Sequence, residues 1–301
     1  MSTAYTHFNS AKINLDDVYR SDDASPYYAE MSRLDYQIPQ NSLPWFLRII
    51  DEIRAIRGGD RVKILDVGCS YGVNAALLKY DIPLEAVYHH YATRPQGQVR
   101  AARIGYDQAF FSRFAPRTGL SIHGIDISPS AVSYATATRL LDSGHVVDLE
   151  HGDAPDELRR TLDGVDLIVS TGCVGYVTEK TFARLLGHLP PDRLPWIAVT
   201  VLRTLDFTDF LHRFEQYGLR TERIAGPMKQ RTIADDQERV SAISAARALG
   251  KPTSTLEELG SLYADLYLSI PGIEAAESNL TPAVRTDEEI LDDRESPVVH
   301  Q

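Results

Sequence analysis

The chain contains little cysteine and no long hydrophobic run. Two cysteines, Cys69 and Cys173, cannot form a disulfide framework in 301 residues. Neither a Cys-x-x-Cys nor a His-x-x-x-His spacing occurs, so the sequence predicts no structural zinc site and no other metal site. The longest apolar stretch, around residues 196–202, is too short to span a membrane, and the first ten residues are too polar for a secretory signal. We therefore expect a cytoplasmic protein with no membrane partner.

Basic residues are outnumbered by acidic ones, 31 against 42, which leaves a formal net charge of −11. No basic stripe interrupts this surplus, and nucleic acid is therefore not an expected partner. Hydrophobic residues make up 43% and charged residues 24% of the chain, as in an ordinary globular protein, and the length is sufficient for one large domain with a full core. The expected substrate is a small molecule.

Apolar strand patterns alternate with helical patterns through most of the chain. Such alternation is typical of a doubly wound, mostly parallel α/β sheet, and we expect seven strands in a Rossmann-like arrangement. The predicted strands cover residues 62–67, 120–126, 145–149, 166–170, 196–203, 221–225 and 264–270. We assign residues 46–272 to this domain.

Three segments lie outside the strand–helix repeat. Residues 1–45 become rich in aromatic and turn-forming residues, and we expect a lid there, followed by an amphipathic helix with Ser42 as its N-cap and Pro44 in its first turn. The 83–117 stretch lengthens the connection between the first helix and the second strand, and its pattern predicts a helical insertion over the site. Residues 273–301 combine many acids with few large apolar residues, which predicts a disordered tail.

The strongest motif, Ile-Leu-Asp-Val-Gly-Cys-Ser-Tyr-Gly at residues 64–72, joins the first strand to the following helix. Gly68 permits a sharp turn and a close approach of a ligand to the backbone. A dinucleotide site would hold a pyrophosphate on a G-x-G-x-x-G loop, whereas here the spacing is Gly68-x-x-x-Gly72 and Asp66 precedes it. An acid in this position repels a pyrophosphate and suits an ammonium group. The alternative interpretation is an ordinary turn between a strand and a helix.

This stretch resembles motif I of the class I S-adenosylmethionine (SAM)-dependent methyltransferases, D-x-G-x-G-x-G. The resemblance covers about residues 45–270 and implies SAM as the cofactor, with Asp66 accepting a hydrogen bond from its ammonium group. The loop residues that it assigns to the cofactor are Gly68, Cys69, Ser70 and Gly72. Ser70 departs from the family pattern because it replaces the central glycine. Serine fits there if its backbone dihedral angles stay in an ordinary region, and its hydroxyl could then reach the cofactor carboxylate.

Two acids follow the second and third predicted strands. Asp126 ends the second strand, where it is well placed to accept hydrogen bonds from two ribose hydroxyls, and the resemblance implies that Ile127 packs on adenine. Asp126 could instead simply cap the next helix. After the third strand, the resemblance implies that Asp153, which precedes Ala154, accepts from the adenine amine, with Glu150 as a less favoured candidate. A plain surface turn is the alternative there.

The loop after the fourth strand, from Ser170 and Thr171 to Tyr176, lies where the resembled enzymes keep the residues that face the transferred group. We predict that Tyr176 is catalytic and presents its ring face to the sulfonium, although it could instead pack in the core. Arg203 ends the fifth strand and could pair with a substrate carboxylate, unless a nearby acid already holds it. Tyr36 of the lid is expected to contact the substrate.

These motifs predict methyl transfer from SAM to a small-molecule acceptor, in specialised metabolism. The sulfonium is already a strong electrophile, so the enzyme mainly positions the nucleophile and excludes water. Some relatives of this fold cyclise SAM itself, as azetidine-2-carboxylate synthases do, and release methylthioadenosine. Two further alternatives are a non-catalytic SAM-binding regulator and, against the loop spacing, a nicotinamide oxidoreductase.

Overall fold

The computed structural model, which describes residues 16–95 and 97–284, places eight strands in one mixed sheet. In chain order they are β1 (Val62–Val67), β2 (Leu120–Asp126), β3 (Ser143–Val146), β4 (Leu167–Ser170), β5 (Trp196–Leu202), β6 (Leu219–Thr232), β7 (Ser261–Pro271) and β8 (Ala283–Val284). Their spatial order is β3-β2-β1-β4-β5-β7-β6-β8. The strands β1 to β5 are parallel to their neighbours among themselves, whereas β7 runs antiparallel to both β5 and β6.

The predicted doubly wound α/β fold is confirmed, and β1 to β7 are the seven predicted strands. The bounds of β1 and β2 are those predicted, while β3 begins and ends earlier and β6 is much longer than predicted. The strand order reverses between β1 and β4, and this switch point is where open α/β sheets bind ligands, outside the carboxyl ends of the strands.

Helices cover both faces of the sheet. Neighbouring residues of β1, such as Ile64 and Leu65, belong to two separate hydrophobic clusters because successive strand side chains point to opposite faces. Among the described residues, no helix combines the length and the apolar character needed to cross a membrane. The helices are α1 (Asp16–Tyr19), α2 (Ser25–Arg33), α3 (Ile38–Arg57), α4 (Val73–Lys79), α5 (Leu84–Thr93), α6 (Arg100–Phe111), α7 (Pro129–Ala137), α8 (Asp156–Leu162), α9 (Glu179–Leu186), α10 (Thr208–Gln216), α11 (Asp236–Ala248) and α12 (Gly272–Ala275).

Helix α3 begins at Ile38, before the predicted N-cap at Ser42. Pro39 takes the place of the first-turn proline, where a missing N–H costs nothing. Ser42 lies inside the helix, and its hydroxyl donates to the Ile38 carbonyl over 2.7 Å. Pro44 also lies inside the helix. The predicted boundary is therefore wrong, because two prolines were available as a start signal and the earlier one is used.

The segment predicted as an acidic tail is docked at its start. Glu274 of α12 accepts a hydrogen bond from the Trp196 indole at 2.5 Å and pairs with Arg57 at 3.0 Å. Strand β8 then adds to the sheet edge by parallel pairing with β6. The folded body thus continues past the predicted boundary at residue 273. The rest of the predicted tail, residues 285–301, lies outside the described residues, as do residues 1–15 of the predicted lid.

The predicted 83–117 insertion contains α5 and α6, and it holds the lid through a buried ionic network. Asp107 of α6 is fully buried and accepts from the Tyr134 hydroxyl at 2.7 Å. The same carboxylate contacts His90 Nε2 at 2.7 Å and pairs with Arg94 at 2.5 Å. Arg94 also pairs with Asp23, which lies between α1 and α2. The insertion therefore joins the lid to helix α7, which carries Tyr134.

We predict that Asp107→Asn lowers the free energy of unfolding by about 3 kcal/mol, because it leaves a buried guanidinium without its main counter-charge. Chemical denaturation monitored by circular dichroism measures the change. The control is Glu30→Gln, which breaks a more exposed pair with Arg33 and should cost less than about 1 kcal/mol. Equal small losses in both variants would contradict this role of Asp107.

Candidate functional site

A cavity of about 430 Å³ opens at the carboxyl ends of β1, β2 and β4, at the switch point of the sheet. Its volume falls in the range of about 300–1,000 Å³ that is typical of small-molecule sites. Both the sheet loops and the lid contribute to its lining. Lid residues in the lining are Tyr19, Tyr27, Met31, Leu34 and Tyr36, and sheet-side residues include Gly68, Cys69, Ser70, Asn74, Asp126, Ile127, Asp148, Glu150, Thr171, Gly172, Cys173, Tyr176, Gln230 and Arg231.

Two glycines let the loop after β1 pack closely against its neighbours. Gly68 has φ +74°, and a Cβ there would overlap the sulfur of Cys173 in the loop after β4. Gly72 has φ +84°, and a Cβ there would press on Ala135 and Leu140 at 3.1 Å. Residues with side chains would strain both positions. The predicted turn is thus present and forms one wall of the cavity.

Ser70 has φ +50°, in the left-handed region, which corrects the expectation of ordinary dihedral angles. A side chain in this conformation costs on the order of 1–3 kcal/mol. The Ser70 N–H donates to Asp126 Oδ2 at 2.9 Å and so holds the turn in place. Its hydroxyl is buried beside the phenols of Tyr19 and Tyr27 without a well-formed hydrogen bond to either. This hydroxyl therefore remains available to a ligand.

Most amides of this loop are already used inside the fold. The N–H groups of Gly68 and Cys69 donate to the Ile125 carbonyl at 2.9 and 3.1 Å, and that of Gly72 donates to the Cys69 carbonyl at 2.9 Å. The Ser70 N–H, between Cys69 and Gly72 in the chain, donates to the Asp126 carboxylate. A phosphate cradle requires amides that are still open to the ligand. The amides of this loop are instead engaged within the fold, one of them by the Asp126 carboxylate, so the loop is a poor site for a pyrophosphate.

Asp66 is fully buried and is not itself on the cavity wall, and its contact with an ammonium group stays a prediction. Its Oδ1 accepts from the Asn74 amide at 3.2 Å, and the same amide donates to Thr171 Oγ1 at 2.6 Å. Both Asn74 and Thr171 line the cavity, while Asp66 Oδ2 has no hydrogen-bond partner. Burial raises the pKa of the Asp66 carboxyl to about 7, against the opposing effect of Asn74.

Asp126 and Ile127 lie on the cavity wall, where the sequence places them. Besides the Ser70 amide, Asp126 accepts the Ser128 amide on Oδ1 at 2.9 Å. Burial raises the pKa of this carboxyl, and both amides oppose the rise. Each carboxylate oxygen keeps a second lone pair, so the group can still accept two hydroxyls from a ligand. Ile127 is 72% exposed, so an apolar ligand surface could cover it.

Asp153 is exposed and lies away from the cavity, which corrects its predicted contact with adenine. Its Oδ1 accepts from the Ala154 amide and contacts His188, both at 2.8 Å, and Ala154 is buried in the core. Because β3 ends earlier than predicted, the acids that follow it along the cavity are Asp148 and Glu150. Hydroxyls of α9 and its N-cap already occupy Glu150. Asp148 is exposed, accepts from the Glu150 N–H at 2.9 Å and contacts His151 at 2.8 Å.

The loop after β4 brings some of its predicted residues to the cavity. Ser170 is buried and donates to a β1 carbonyl at 2.9 Å, so it does not line the cavity, whereas Thr171 does. Tyr36 lines the cavity close to Gly172, where a Cβ would overlap its hydroxyl. Tyr176 also lines the cavity but is 57% exposed. The buried Tyr36 is therefore better placed than Tyr176 to enclose a ligand.

Arg203 does not contribute to the cavity, so its predicted substrate contact is corrected. It is buried, pairs with Glu257 at 3.0 Å and donates to the Pro252 carbonyl at 2.5 Å. Its partner lies far along the chain, which is why neighbouring sequence did not reveal it. The cation that lines the cavity is Arg231, and Glu238 binds its guanidinium at 2.9 and 2.5 Å.

Within residues 16–95 and 97–284, no group of three or more His, Cys, Asp or Glu residues is arranged to hold a metal ion.

Sequence reasoning missed several residues of the cavity wall. The lid tyrosines were recognisable as an aromatic cluster, but their depth in the cavity depends on the contacts of the lid with the insertion. No local pattern distinguished the remaining residues. The missed residues are Tyr19, Tyr27, Asn74, Asp148, Gln230 and Arg231.

No protein-family model and no curated protein matches the sequence. Among solved structures, the chain is similar to a TehB-like SAM-dependent methyltransferase from Corynebacterium glutamicum, with 18% identity, a TM-score of 0.32, and coverage of 76% of this chain and 98% of that one. It is also similar to magnesium protoporphyrin IX methyltransferase from Synechocystis PCC 6803 with bound SAM (12%, TM-score 0.36, 89% and 98%). A third is the plantazolicin methyltransferase BpumL in complex with SAH (13%, TM-score 0.38, 88% and 95%). Because these identities and TM-scores are low, assignment of a function depends on the residues of the site itself.

We predict that Asp66→Asn stabilises the ligand-free protein more at pH 8 than at pH 5. The folded-state pKa of about 7 exceeds the unfolded value of about 4, so the folded chain binds an extra proton between these values. Stability contributed by this carboxyl therefore falls as pH rises through that window, and the amide removes the effect. Thermal unfolding at several pH values measures it. A difference between variant and wild type that does not change with pH would contradict the assignment.

Proposed function

We propose that the chain is a SAM-dependent methyltransferase of the class I fold that acts on a small-molecule acceptor. The observation that carries the proposal is the loop after β1, whose amides are engaged within the fold and whose neighbour is the Asp126 carboxylate. Engaged amides disfavour a pyrophosphate, and an acid after β2 suits the ribose of a nucleoside. The resemblance to motif I supports the same ligand.

Each part of SAM finds a chemically matching group in the cavity. Asp126 would accept the two ribose hydroxyls, and Ile127 would pack on the adenine face. Asp148 replaces Asp153 as the acid that would accept from the adenine amine, because it lines the cavity. At the other end, the buried Ser70 hydroxyl would donate to the carboxylate, and Asn74 Oδ1 would accept from the ammonium while its amide nitrogen donates to Asp66 and Thr171. These pairings support SAM as the cofactor.

The chemistry that SAM supplies is an electrophilic methyl group: an acceptor lone pair bonds to the methyl carbon, the S–C bond breaks and its electrons stay on sulfur. The protein has to align the acceptor and keep water out. Lid residues Tyr19, Tyr27 and Tyr36 line the cavity opposite the sheet loops, and the insertion holds the lid there. The acceptor proton leaves to water or to a base on the acceptor side.

We propose that aromatic rings of the lid stabilise the positive sulfur. Tyr27 and Tyr36 are buried and line the cavity, and burial raises the pKa of both phenols, so the rings stay neutral near pH 7. Neutral ring faces attract a sulfonium by cation–π interaction. Tyr176 was predicted for this role, but its 57% exposure leaves much of the ring in solvent. We therefore propose Tyr36 as the principal ring, with Tyr176 at the cavity mouth.

Asp126→Ala should weaken SAM binding at least about tenfold, because it removes a charge-assisted acceptor of about 1.5–3 kcal/mol. Isothermal titration calorimetry with SAM measures the change, and circular dichroism verifies the fold. Asp153→Ala is the matched control: it removes an exposed carboxylate away from the cavity and should leave affinity unchanged. Wild-type affinity in a folded Asp126→Ala variant would overturn the cofactor assignment.

Tyr36→Leu should reduce SAM affinity by about 2- to 30-fold more than the affinity for the uncharged product S-adenosylhomocysteine. The reason is that a cation–π interaction acts on the sulfonium and not on the neutral thioether. Tyr36→Phe keeps the ring and should keep the preference. If Tyr176→Leu, and not Tyr36→Leu, removes the preference, the sequence-based assignment of Tyr176 is the correct one.

A second candidate function, cyclisation of SAM, is favoured by the same enclosure by lid tyrosines. There the SAM amine would attack a carbon bonded to sulfur, the C–S bond would break, and methylthioadenosine would leave. Incubation with SAM alone, followed by chromatography, distinguishes the two reactions. Methylthioadenosine indicates cyclisation, whereas S-adenosylhomocysteine that forms only with an added acceptor indicates methyl transfer. A regulator would bind SAM and form neither product.

A further inference from the structure

The side chain of Gln230 is buried beside the cavity with part of its amide unsatisfied. Gln230 is 6% exposed and lines the cavity, and its Oε1 has no hydrogen-bond partner. A buried amide without a partner costs stability, so such groups usually serve a ligand or a bound water. Among the described residues, none donates a hydrogen bond to Oε1 and so offsets the cost of burying it.

A β-bulge presents Gln230. Strand β6 pairs with β7 through Lys229 opposite Tyr263 and Arg231 opposite Leu262, so Gln230 is the extra residue between two neighbouring pairs. A bulge interrupts the alternation of side chains and re-aims one of them, and bulges are frequent next to active sites. The bulge explains how both Gln230 and Arg231 line the same cavity.

Gln230 lies in the half of the cavity away from the proposed nucleoside groups. In the sheet, β2 and β3 lie on one side of β1, while β4 and β6 lie on the other. The backbone carbonyl of Gln230 accepts from the backbone N–H of Gln37 at 2.8 Å. This bond places Gln230 beside the lid segment that contains Leu34 and Tyr36. Tyr36 in turn approaches Gly172 after β4. This half is therefore the acceptor side of the site.

The acceptor side has no uncompensated positive charge among the described cavity residues. Arg231, its cation, is bound by Glu238 through both of its terminal nitrogens. The lid contributes apolar and aromatic groups there, Met31, Leu34 and Tyr36, and Thr171 beside Tyr36 adds a neutral hydroxyl. An anionic acceptor would meet no open counter-charge, whereas a neutral hydroxyl can both donate to and accept from an amide.

We infer that Gln230 anchors the acceptor, and that the acceptor is an uncharged molecule with an aromatic or apolar body and a free hydroxyl group. This inference rests on the proposed function and specifies its substrate class. Gln230 is a binding residue in this account, and the fold does not require its amide. Replacement by an apolar residue of similar length should therefore weaken acceptor binding without a loss of thermal stability.

The first arm of the test uses ligand-free protein. Gln230→Met should keep or raise the melting temperature, because it removes an unsatisfied buried polar group. The matched control is Asn41→Leu, which removes an amide that donates to the Lys229 carbonyl on the same strand at 2.9 Å and should lower the melting temperature. A melting temperature of Gln230→Met that falls as far as that of Asn41→Leu would show a structural role and overturn the inference.

The second arm uses three related probes at millimolar concentration with saturating S-adenosylhomocysteine, followed by calorimetry. 4-Methylphenol should bind the wild type and lose about tenfold in affinity with Gln230→Met. 4-Methylanisole, which lacks the donor, and 4-methylbenzoate, which is anionic, should bind the wild type at least as weakly as that variant binds the phenol. No binding of the phenol, equal binding by the variant or preferred binding of the benzoate would each overturn the inference. Failure of S-adenosylhomocysteine itself to bind would instead refute the proposed function.

Discussion

The Asp126 carboxylate holds the site together, because it joins the loop after β1 to the end of β2 through the amides of Ser70 and Ser128. These bonds keep Ser70 in a left-handed conformation that a non-glycine residue otherwise avoids. They also occupy amides that a phosphate-binding loop would leave open. The chemistry that the switch point of this sheet can accept is thus limited by engaged amides at the place where a dinucleotide site presents open backbone N–H groups.

The lid forms the second half of the cavity wall, and the insertion holds the lid without lining the cavity itself. Tyr71, in the loop after β1, donates from its hydroxyl to the carbonyls of Val18 and Ser21 at 2.8 and 2.6 Å. Arg94 of the insertion pairs with Asp23 of the same lid segment. The lid is therefore held at two points, and one of them is the loop after β1. These two sets of contacts keep the lid tyrosines against the cavity.

The sequence was informative where the signal is local and misleading where it is not. Continuous apolar runs fixed the bounds of β1 and β2, and the short spacing around Gly68 indicated the turn. The family resemblance implies an adenine contact by Asp153, with Glu150 less favoured, but β3 ends at Val146, too early for Asp153 to reach the cavity, and Asp148 lines it instead. Arg203 appeared available because its partner, Glu257, is remote in sequence.

Other features depend on tertiary packing and have no sequence signature. Gln230 lies at a bulge, and a bulge is set by the register between β6 and β7, which no single segment encodes. The burial that raises the pKa of Asp66 to about 7 is likewise a property of the assembled core. A sequence therefore identifies the motif that carries a site more readily than the residues that complete it.

The most direct test of the central claim is a calorimetric comparison of SAM with NAD⁺ on the wild-type protein. Both ligands contain adenosine, but one carries a sulfonium and an ammonium and the other a pyrophosphate. The engaged amides of the loop after β1 predict that SAM binds saturably and that NAD⁺ does not bind under the same conditions. Saturable binding of NAD⁺ without binding of SAM would contradict the account.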